Sequence, residues 1–268
     1  MVSTSDLGWE GRDLFQKVFS LQGRVYRTQK GRRTLRFTQQ GRAYFAKIHE
    51  GVGWREIFKN LLAARLPVLS ARNEWRAIRR FETVGIPTTP LVAYGMRGLD
   101  PARLQSFVIT REIQGAVSLE DLCRDWPQRP PAPRLKRDLI LGVAGIARTL
   151  HENGMNHRDF YLCHFLVREG REPGGGLPLY LIDLHRVQIR KTVPTRWRVK
   201  DVAGLYFSAM EAGLTRHDLL RFVRAYEARP LQKCFAENGV FWRRVEKKAL
   251  ALYKKIHGRR PPVAPGMR

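Results

Sequence analysis

The sequence predicts an α+β fold of two lobes, a small N-terminal lobe of antiparallel sheet with one key helix and a mainly helical C-terminal lobe. Residues 24–49 alternate between apolar and polar side chains and carry turn signals, which is typical of short strands. From Ile113 onward the apolar residues recur at the three- and four-residue spacing of helices. Within this second part, Asp159 follows an arginine in a loop, and Asp183 ends an apolar strand 24 residues later. The pattern therefore predicts a helical lobe that carries one carboxylate in a loop and a second at the end of a strand.

The N-terminal lobe is predicted over residues 1–112. Its strands are expected at residues 24–28, 32–38, 42–49, 91–96 and 106–111. Residues 54–82 have helical spacing with a break near Pro67, and Gly85-Ile86-Pro87 ends that helix. These strands and one helix make a small α+β lobe.

The C-terminal lobe is predicted over residues 113–268. Its expected helices cover residues 119–125, 134–153 and most of 200–257, and its expected strands cover residues 165–167 and 179–182. The proline-rich segment 127–133 is expected to be a stiff, exposed connector. Gly154 is expected to stop the long helix in a C′ position, where glycine accepts the left-handed conformation.

The charge of the chain limits its partners. Lys and Arg number 49 against 24 Asp and Glu, which gives a formal net charge of +25, and 43% of the residues are apolar. The apolar fraction excludes general disorder. The charge predicts attraction to polyanions such as nucleic acid, an anionic membrane face, or phosphorylated and acidic substrates.

The cysteines and the N-terminal residues indicate the cellular compartment in which the protein is expected. The three cysteines are scattered, which argues against a disulfide framework and for a reducing environment. The first residues show neither a basic n-region nor an apolar h-region. The main apolar run, residues 139–147, is shorter than the about 20 residues that span a bilayer. We therefore expect a soluble or peripheral protein of the cytoplasm.

The order and spacing of Asp159 and Asp183 are those in which protein-kinase-like enzymes hold a catalytic and a metal-binding aspartate. The first carboxylate can position a substrate hydroxyl for in-line attack, with an ordinary loop aspartate as the alternative. The second suits Mg²⁺, a hard cation that takes oxygen ligands. His164 stands five residues after Asp159, where protein kinases place a metal-binding asparagine; it can ligate the metal, orient Asp183 or contact the phosphates. His157 and Arg158 are expected to pack and anchor the loop.

Lys47 and Glu74 are the candidates for holding ATP. Lys47 alternates with apolar neighbours on the third strand, from which a cation can reach the α- and β-phosphates; a solvated strand lysine is the alternative. Glu74 follows 27 residues later on a helix and can hold that lysine in an ion pair, with Glu56 as a rival.

The turn between the first two strands is the weakest part of the predicted nucleotide site. It contains Lys30 and Gly31 rather than a glycine-rich phosphate loop. With one glycine, backbone contacts to phosphate are fewer, so Lys30, Arg32 and Arg33 would have to compensate through their charge. A basic hairpin with no phosphate role is the alternative.

Five segments together carry a resemblance to a known family. They are HRDFYLCHFL at residues 157–166, IDLHR at 182–186, FAKIH at 45–49, NEW at 73–75 and RVKDVA at 198–203. The chain resembles, nearly end to end, the bacterial lipopolysaccharide core heptose(I) kinase family, whose DLH-type triplet and histidine in place of asparagine also fit. The resemblance implies ATP- and Mg²⁺-dependent phosphorylation of the first heptose of the inner core, with Asp159 as the catalytic aspartate. It further implies an anionic glycolipid acceptor at the cytoplasmic face of the inner membrane of a Gram-negative cell.

The C-terminal segment 242–260 carries eight basic residues against one acid, Glu246, with apolar residues interleaved. This pattern suits a basic amphipathic helix at an anionic inner-membrane surface. A helix packed on the core with a solvated basic face is the alternative, and both can hold together. A small acidic protein partner is a further expectation from charge alone. Nucleic acid is not expected, because no nucleic-acid-binding motif accompanies the charge.

Two other functions stay open from the residues alone. A kinase of the same fold that acts on another sugar, or on protein tyrosine or serine, would carry the same constellation. A non-catalytic pseudokinase scaffold would have lost ATP binding, and the presence of Lys47, Asp159 and Asp183 argues against it.

Overall fold

The computed structural model describes residues 7–9, 14–29, 31–62, 70–170 and 176–262 of the 268-residue chain. The chain forms two compact units. The first comprises Met1–Arg80 and Thr89–Ile113, and the second comprises Phe81–Thr88 and Gln114–Arg268. The segment Phe81–Thr88, which the predicted division at residues 112 and 113 assigns to the N-terminal lobe, thus groups with the second unit. The roles of the two lobes stay predictions.

The first unit is built around a five-stranded antiparallel sheet in the order β1-β2-β3-β5-β4. Its strands are β1 (Arg24–Gln29), β2 (Arg32–Gln39), β3 (Arg42–His49), β4 (Leu91–Arg97) and β5 (Gln105–Arg111). The five predicted strands are confirmed to within one residue at each end. Along β3, Tyr44, Ala46 and Ile48 are buried in the core. Because neighbouring side chains of a strand point to opposite faces, Lys47 lies on the other side of the sheet.

Three helices begin in the first unit. They are α1 (Leu14–Phe19), α2 (Trp54–Leu62) and α3 (Arg72–Val84). Helices α2 and α3 lie within or overlap the predicted helical span 54–82, and the predicted break at Pro67 falls outside the described residues. Helix α1 is not predicted by the sequence, because six residues are too few to repeat a helical apolar spacing. Its Phe15 packs edge-on against Phe107 of β5, with ring centres 5.1 Å apart.

The second unit is mainly helical. Its helices are α4 (Leu119–Leu122), α5 (Pro133–Glu152), α6 (Thr195–Ala209), α7 (Arg216–Glu227) and α8 (Leu231–His257). Helix α8 packs along α6, and α7 packs against α5. The strands of this unit are β6 (Ala116–Ser118), β7 (Met155–Asn156), β8 (Phe165–Arg168), β9 (Leu179–Leu181) and β10 (Gln188–Ile189). They form an antiparallel sheet β6-β8-β9 and an antiparallel pair β7-β10.

Several boundaries of the second unit differ from the prediction, and α4 ends at Leu122 rather than at residue 125. Pro133, predicted to close the connector, is the first residue of α5, because the fixed φ of proline suits the first helical position. Helix α6 begins at Thr195, directly after Pro194, rather than near residue 200. Strands β6, β7 and β10 are not predicted, because runs of two or three residues are too short to display alternation.

Helix α5 ends at a glycine, as predicted. Asn153 caps the helix, and Gly154 follows with a φ of +73°. A Cβ at position 154 would lie 2.0 Å from the carbonyl oxygen of Arg190, whose amide donates to the Gly154 carbonyl at 2.8 Å. Both the left-handed backbone and this close approach require glycine.

Helix α8 separates apolar from basic side chains. Phe241, Trp242, Val245, Ala249 and Tyr253 are buried. The exposed face carries the basic residues Arg243, Arg244, Lys247, Lys248, Lys254 and Lys255. The alternative expectation for this segment, an apolar side on the core with a solvated basic face, is therefore present. Across the described ranges, no helix combines the length and the apolarity needed to cross a bilayer.

Candidate active site

The first unit contains an ion pair between Lys47 and Glu74. Lys47 lies on β3 between Thr34 of β2 and Val108 of β5. Glu74 lies in the first turn of α3 and is buried, and its Oε1 is 2.8 Å from Nζ of Lys47. A carboxylate at this position is favoured by the unpaired amides of the helix N-terminus. The structure thus brings Lys47 and Glu74 together, whereas the rival Glu56 lies in α2 and its side chain is outside the described residues.

The β1–β2 turn contains Gly31 at a φ of +71°. A Cβ here would lie 1.9 Å from the carbonyl oxygen of Gly51, and the Glu50 amide donates to the Gly31 carbonyl at 2.8 Å. Glycine at this position therefore has a structural reason, the close approach of two backbone segments. Arg33 pairs with Glu50 at 3.5 Å, so part of the predicted charge compensation is engaged within the unit. Lys30 lies outside the described residues.

A buried carboxylate holds the loop of residues 157–159, here called the Asp159 loop. Asp201, on α6, is 1% exposed. Its two oxygens accept the backbone amides of His157 at 2.6 Å and of Arg158 at 2.8 Å. Its Oδ2 also lies 3.5 Å from Nε2 of His151 on α5. Because hydrogen bonds to an ionised acceptor are roughly twice as strong as neutral ones, Asp201 fixes this loop firmly to α6.

His157 and Arg158 are the residues of the Asp159 loop that are tied to the rest of the second unit. His157 is fully buried and donates from Nε2 to the Ile182 carbonyl at 3.0 Å. Burial lowers the pKa of His157, so the ring is neutral at pH 7. Arg158 has a φ of +75°, a left-handed conformation that is strained for a residue with a Cβ. These contacts are those of residues that hold a loop in place.

The side chain of Asp159 is 18% exposed and pairs with Arg186. Nη1 of Arg186 donates to both carboxylate oxygens, at 2.8 and 3.0 Å. The carboxylate is therefore held in one orientation. A carboxylate offers about four lone-pair directions, so it retains capacity to accept a hydrogen bond from a substrate hydroxyl.

His164 connects Asp159 to Asp183. Its Nδ1 lies 2.6 Å from the backbone carbonyl oxygen of Asp159, so Nδ1 carries a proton and donates it. Its Nε2 lies 3.7 Å from Oδ2 of Asp183. The other carboxylate oxygen, Oδ1, accepts from Nδ1 of His185 at 2.9 Å. The structure thus brings the three predicted residues of the second unit together.

Asp183 fits a site for a hard cation. It follows β9 with a φ of +62°, and its side chain is 29% exposed. Carboxylate oxygens are the ligands that Mg²⁺ prefers. In the part of the chain that the structure describes, no three His, Cys, Asp or Glu side chains gather as a preformed metal centre. A cation at Asp183 would therefore take most of its ligands from phosphate oxygens and water, as Mg²⁺ commonly does beside nucleotides.

Three residues close to Asp159 are not singled out from the sequence. Asp201 anchors the loop, Arg186 pairs with the carboxylate, and Lys200 lies near enough for the charges of Asp159 and Arg186 to influence it. All three belong to segments that carry the family resemblance, which was the available signal. Spacing alone does not connect α6 to a loop 44 residues earlier.

Comparison with known proteins gives consistent matches. A model of the lipopolysaccharide kinase (Kdo/WaaP) family matches residues 16–226. The lipopolysaccharide core heptose(I) kinase WaaP of Pseudomonas aeruginosa is 52% identical over 248 residues, which cover 92% of each chain. An Escherichia coli protein of the same name is 46% identical over 250 residues, which cover 92% of this chain and 94% of that protein.

A solved structure, described as WaaP in complex with acyl carrier protein, has the same fold. Its TM-score to this chain is 0.81 at 45% identity, and the match covers 94% of this chain and 98% of that one. These comparisons confirm the kinase-like α+β fold. The curated relatives are sugar kinases, and a kinase takes its phosphate from ATP.

Proposed function

Because the chain belongs to the lipopolysaccharide kinase (Kdo/WaaP) family, we propose that it transfers the γ-phosphoryl group of ATP to the first heptose of the lipopolysaccharide inner core. The observation that carries the proposal is the pair of acidic residues Asp159 and Asp183, with His164 bonded to the backbone carbonyl of the first and 3.7 Å from the carboxylate of the second. Phosphoryl transfer demands little covalent work from a protein and depends on positioning and charge stabilisation. The contacts of these residues support a positioning role.

Asp159 is proposed to orient the acceptor hydroxyl and to take its proton as the new bond to phosphorus forms. The contacts of Arg186 with both oxygens support this role, because they fix the carboxylate before the acceptor arrives. The anchoring of the loop by Asp201 acts in the same sense. A base held in place reduces the reorganisation that the reaction would otherwise require.

Lys47 is proposed to bind the α- and β-phosphates of ATP, with Glu74 holding the lysine in place. The 2.8 Å contact between them supports this pairing. Lys30 and Gly31, in the turn between β1 and β2, are proposed to lie over the phosphates.

Asp183 and His164 are proposed to hold Mg²⁺. His164 carries a proton on Nδ1, which donates to a carbonyl, so Nε2 is the nitrogen left to face Asp183 or the cation. Mg²⁺, when bound, neutralises charge on the transferred phosphate and its leaving group. The strained φ of Asp183 is typical of a residue held for function.

The test is transfer of label from ATP, with Mg²⁺, to purified core glycolipid that lacks the heptose phosphate. Asp159→Asn should lower transfer by about 10²–10⁴-fold, as expected for loss of a general base. Asp125→Asn, at an exposed aspartate of the same unit, is the matched control and should keep wild-type activity. Asp159-dependent ATP turnover without glycolipid labelling would reject the heptose acceptor and favour a kinase of another sugar or of protein. Folded protein that is inactive with every acceptor would favour the pseudokinase scaffold.

An acyl carrier protein is proposed as the small acidic partner. A net charge of +25 favours association with an acidic surface, and a relative of the same fold is described in complex with acyl carrier protein. The second unit also contains an apolar cavity, lined among others by Leu139, Val143, Leu205 and Phe222. An acyl chain would gain about 0.8 kcal/mol for each CH₂ buried there.

Titration calorimetry with acylated and unacylated carrier protein tests this partner. The acylated form should bind more tightly, and high salt should weaken both forms. Ala209→Phe, which narrows the cavity, should weaken only the acylated form. Equal binding of the two forms to the wild type would exclude the cavity as the acyl site, and no binding of either would remove the partner.

Peripheral attachment to the cytoplasmic face of the inner membrane is also proposed. Helix α8 presents an exposed basic face, which suits anionic lipid. Helix α2 adds an exposed apolar stripe of Trp54, Phe58 and Leu62, which are 50%, 57% and 90% exposed. These residues recur every four positions, so they share one face of the helix. Such a face can enter the headgroup region of a bilayer.

Sedimentation with lipid vesicles tests the attachment. Binding should require anionic lipid and fall with rising salt. Phe58→Asp should reduce it more than Leu99→Asp, which introduces the same charge at a fully exposed apolar residue outside the helix. Equal binding to neutral vesicles would remove the electrostatic account, and equal losses in the two variants would remove α2 from the contact.

A further inference from the structure

Ser106, the second residue of β5, is a polar residue buried within the first unit. It is 0% exposed, and its Oγ accepts the backbone amide of Ala71 at 2.9 Å. Ala71 is also buried and directly precedes α3, and its carbonyl accepts the amide of Trp75 at 3.1 Å. The N-terminal end of α3 is therefore attached to β5 by a hydrogen bond between two buried groups.

The packing of the sheet alone does not explain this hydroxyl. A buried hydroxyl is destabilising unless it is hydrogen-bonded, and an alanine would fill most of the same space. The amides at the start of a helix lack acceptors within the helix, and a side chain next to them in the sequence commonly supplies one. Here the acceptor comes from a strand 35 residues later, so it fixes the place of the helix on the sheet as well as capping it.

The side chain of Ser106 lies on the same face of the sheet as that of Lys47. Lys47 is the register partner of Val108 across β3 and β5, and directly opposite residues of two strands share a face. Ser106 stands two residues before Val108, so it points to that face as well. Helix α3 therefore packs on the face of the sheet that carries both Lys47 and Ser106.

Two polar contacts join α3 to this face. Oε1 of Glu74 lies 2.8 Å from Nζ of Lys47. Ala71, which contacts Ser106, lies three residues before Glu74 and hence on the same side of the helix. A helix held by one contact can turn about it, whereas two contacts that are offset along both the helix and the sheet fix its direction.

Aromatic stacking supports the same turn of the helix. Trp75, the neighbour of Glu74, lies nearly parallel to Tyr94 of β4, with ring centres 4.7 Å apart and an interplanar angle of 9°. Stacked rings are stable over a range of offsets, with centres about 4.5–7 Å apart, whereas a hydrogen bond has a narrow range of length and direction. The contact of Ser106 is therefore the one that sets the position of α3 along β5.

We propose that Ser106 is a positioning residue for nucleotide binding. Its bond to the Ala71 amide keeps α3 where Glu74 can hold Lys47, the proposed ligand of the α- and β-phosphates. In protein kinases the corresponding ion pair must be in place for catalysis, and here a hydrogen bond within the same unit maintains it. The inference rests on the proposed kinase function and names the residue that keeps its phosphate-binding lysine aligned.

Steady-state kinetics with ATP as the varied substrate tests the inference. Ser106→Ala leaves a buried amide without its acceptor and lets α3 leave the aligned position, so only a fraction of the protein binds ATP well. The KM for ATP should rise by about fivefold or more, and the KM for the glycolipid should stay within about twofold. Ile109→Val, at a buried residue of the same strand that points to the other face, is the matched control and should change neither. An unchanged KM for ATP in Ser106→Ala would overturn the proposal.

A double-mutant cycle separates positioning from general destabilisation. If Ser106 acts through Glu74, Ser106→Ala should raise the KM for ATP much less when residue 74 is already glutamine. Equal effects in the two backgrounds would show that Ser106 only stabilises the fold, and would overturn the proposal. Ser106→Cys keeps the size of the side chain and offers only a weak acceptor, so it should fold and raise the KM for ATP by a smaller amount. If Ser106→Ala does not fold, a wild-type KM for ATP in Ser106→Cys would overturn the proposal instead.

Direct binding distinguishes this inference from the proposed function. Calorimetry with ATP and Mg²⁺, without glycolipid, should give weaker binding to Ser106→Ala than to the wild type or Ile109→Val. Amide hydrogen exchange at residues 71–75 should be faster in Ser106→Ala alone, and unchanged exchange there would overturn the proposal. If the wild type labels no glycolipid but Ser106→Ala weakens ATP binding, the proposed acceptor is wrong and the positioning role stands. A folded wild type that binds no ATP would overturn both.

Discussion

Replacing Asp201 by asparagine keeps the shape of the side chain and removes its charge. In the native loop the two carboxylate oxygens accept the amides of His157 and Arg158, at 2.6 and 2.8 Å. Asparagine offers one oxygen and one NH₂ group. One backbone amide therefore keeps an acceptor, and the other faces a donor.

The size of the effect follows from those two hydrogen bonds. A hydrogen bond to a charged acceptor contributes about 1.5–3 kcal/mol, and a buried donor without a partner costs about 1–3 kcal/mol. We expect Asp201→Asn to lower the free energy of unfolding by about 2–4 kcal/mol. Arg158 sits in a left-handed conformation that costs about 1–3 kcal/mol, so the weakened loop should relax there. A shift of about 1 Å in Asp159 would lower kcat about 10²-fold.

Urea unfolding followed by circular dichroism measures the stability, and phosphate transfer at a temperature well below the transition measures kcat. Asp218→Asn is the matched control. Asp218, on α7, is also buried, accepts the Thr215 amide at 2.9 Å and pairs with Lys136 at 2.7 Å. The Asp218→Asn variant should lose a comparable free energy of unfolding and retain kcat, because Asp218 supports no part of the Asp159 loop.

Two results would contradict the role of Asp201 as the anchor of the Asp159 loop. If Asp201→Asn and Asp218→Asn lower kcat equally, the loss reflects general destabilisation and the carboxylate is no specific anchor. If Asp201→Asn unfolds at the wild-type urea concentration, the two amide contacts contribute little to the folded state.

Three further predictions concern the ion pair, the pH dependence and the thiols. Lys47→Met should lower kcat/KM for ATP by about 10²–10³-fold, measured with ATP as the varied substrate, and Glu74→Gln, which keeps a hydrogen-bond acceptor, should lose less; the reverse order would contradict the pairing. Burial lowers the pKa of His157, so below the unfolded pKa of about 6.5 the unfolded chain binds a proton that the folded chain excludes. Stability should therefore fall as the pH drops below that value, by at most about 1.4 kcal/mol per pH unit from this group, and urea titrations of His157→Gln should show a shallower slope than wild type. Burial raises the pKa of Cys123 to about 12, so native protein in which the other two cysteines are replaced should react with a disulfide reagent at pH 8 only on unfolding; rapid labelling would show an open, ionised thiol.

The parts of the fold that could be predicted from the sequence depend on local patterns. Strand β3 shows this, because Tyr44, Ala46 and Ile48 alternate with polar or half-buried residues over a full strand length. The contact between Lys47 and Glu74 could be predicted for a related reason. Each residue lies on an element that the pattern identifies, and the two elements are neighbours along the chain.

The parts that could not be predicted depend on packing between distant elements. From the sequence alone, Asp201 is one acidic residue on an ordinary helix. Its contacts become apparent only when α6 packs against the Asp159 loop. The pairing of Arg186 with Asp159 and the bond of Ser106 to the Ala71 amide are likewise products of tertiary placement. The periodicity of a segment does not show which of its residues will contact a residue of another segment.

The close approach of Gly154 to the Arg190 carbonyl limits how far this sequence can vary. Even alanine would place a methyl group within 2.0 Å of that oxygen, and relief would require β7 and β10 to separate. Strand β7 leads into the loop that carries Asp159, and β10 follows the segment that carries Arg186. Separation of the two strands would therefore weaken the ion pair between Asp159 and Arg186. In a saturation library selected for growth that depends on the enzyme, position 154 should therefore accept as few substitutions as position 159. A residue without a side chain would then tolerate as few substitutions as the proposed catalytic residue.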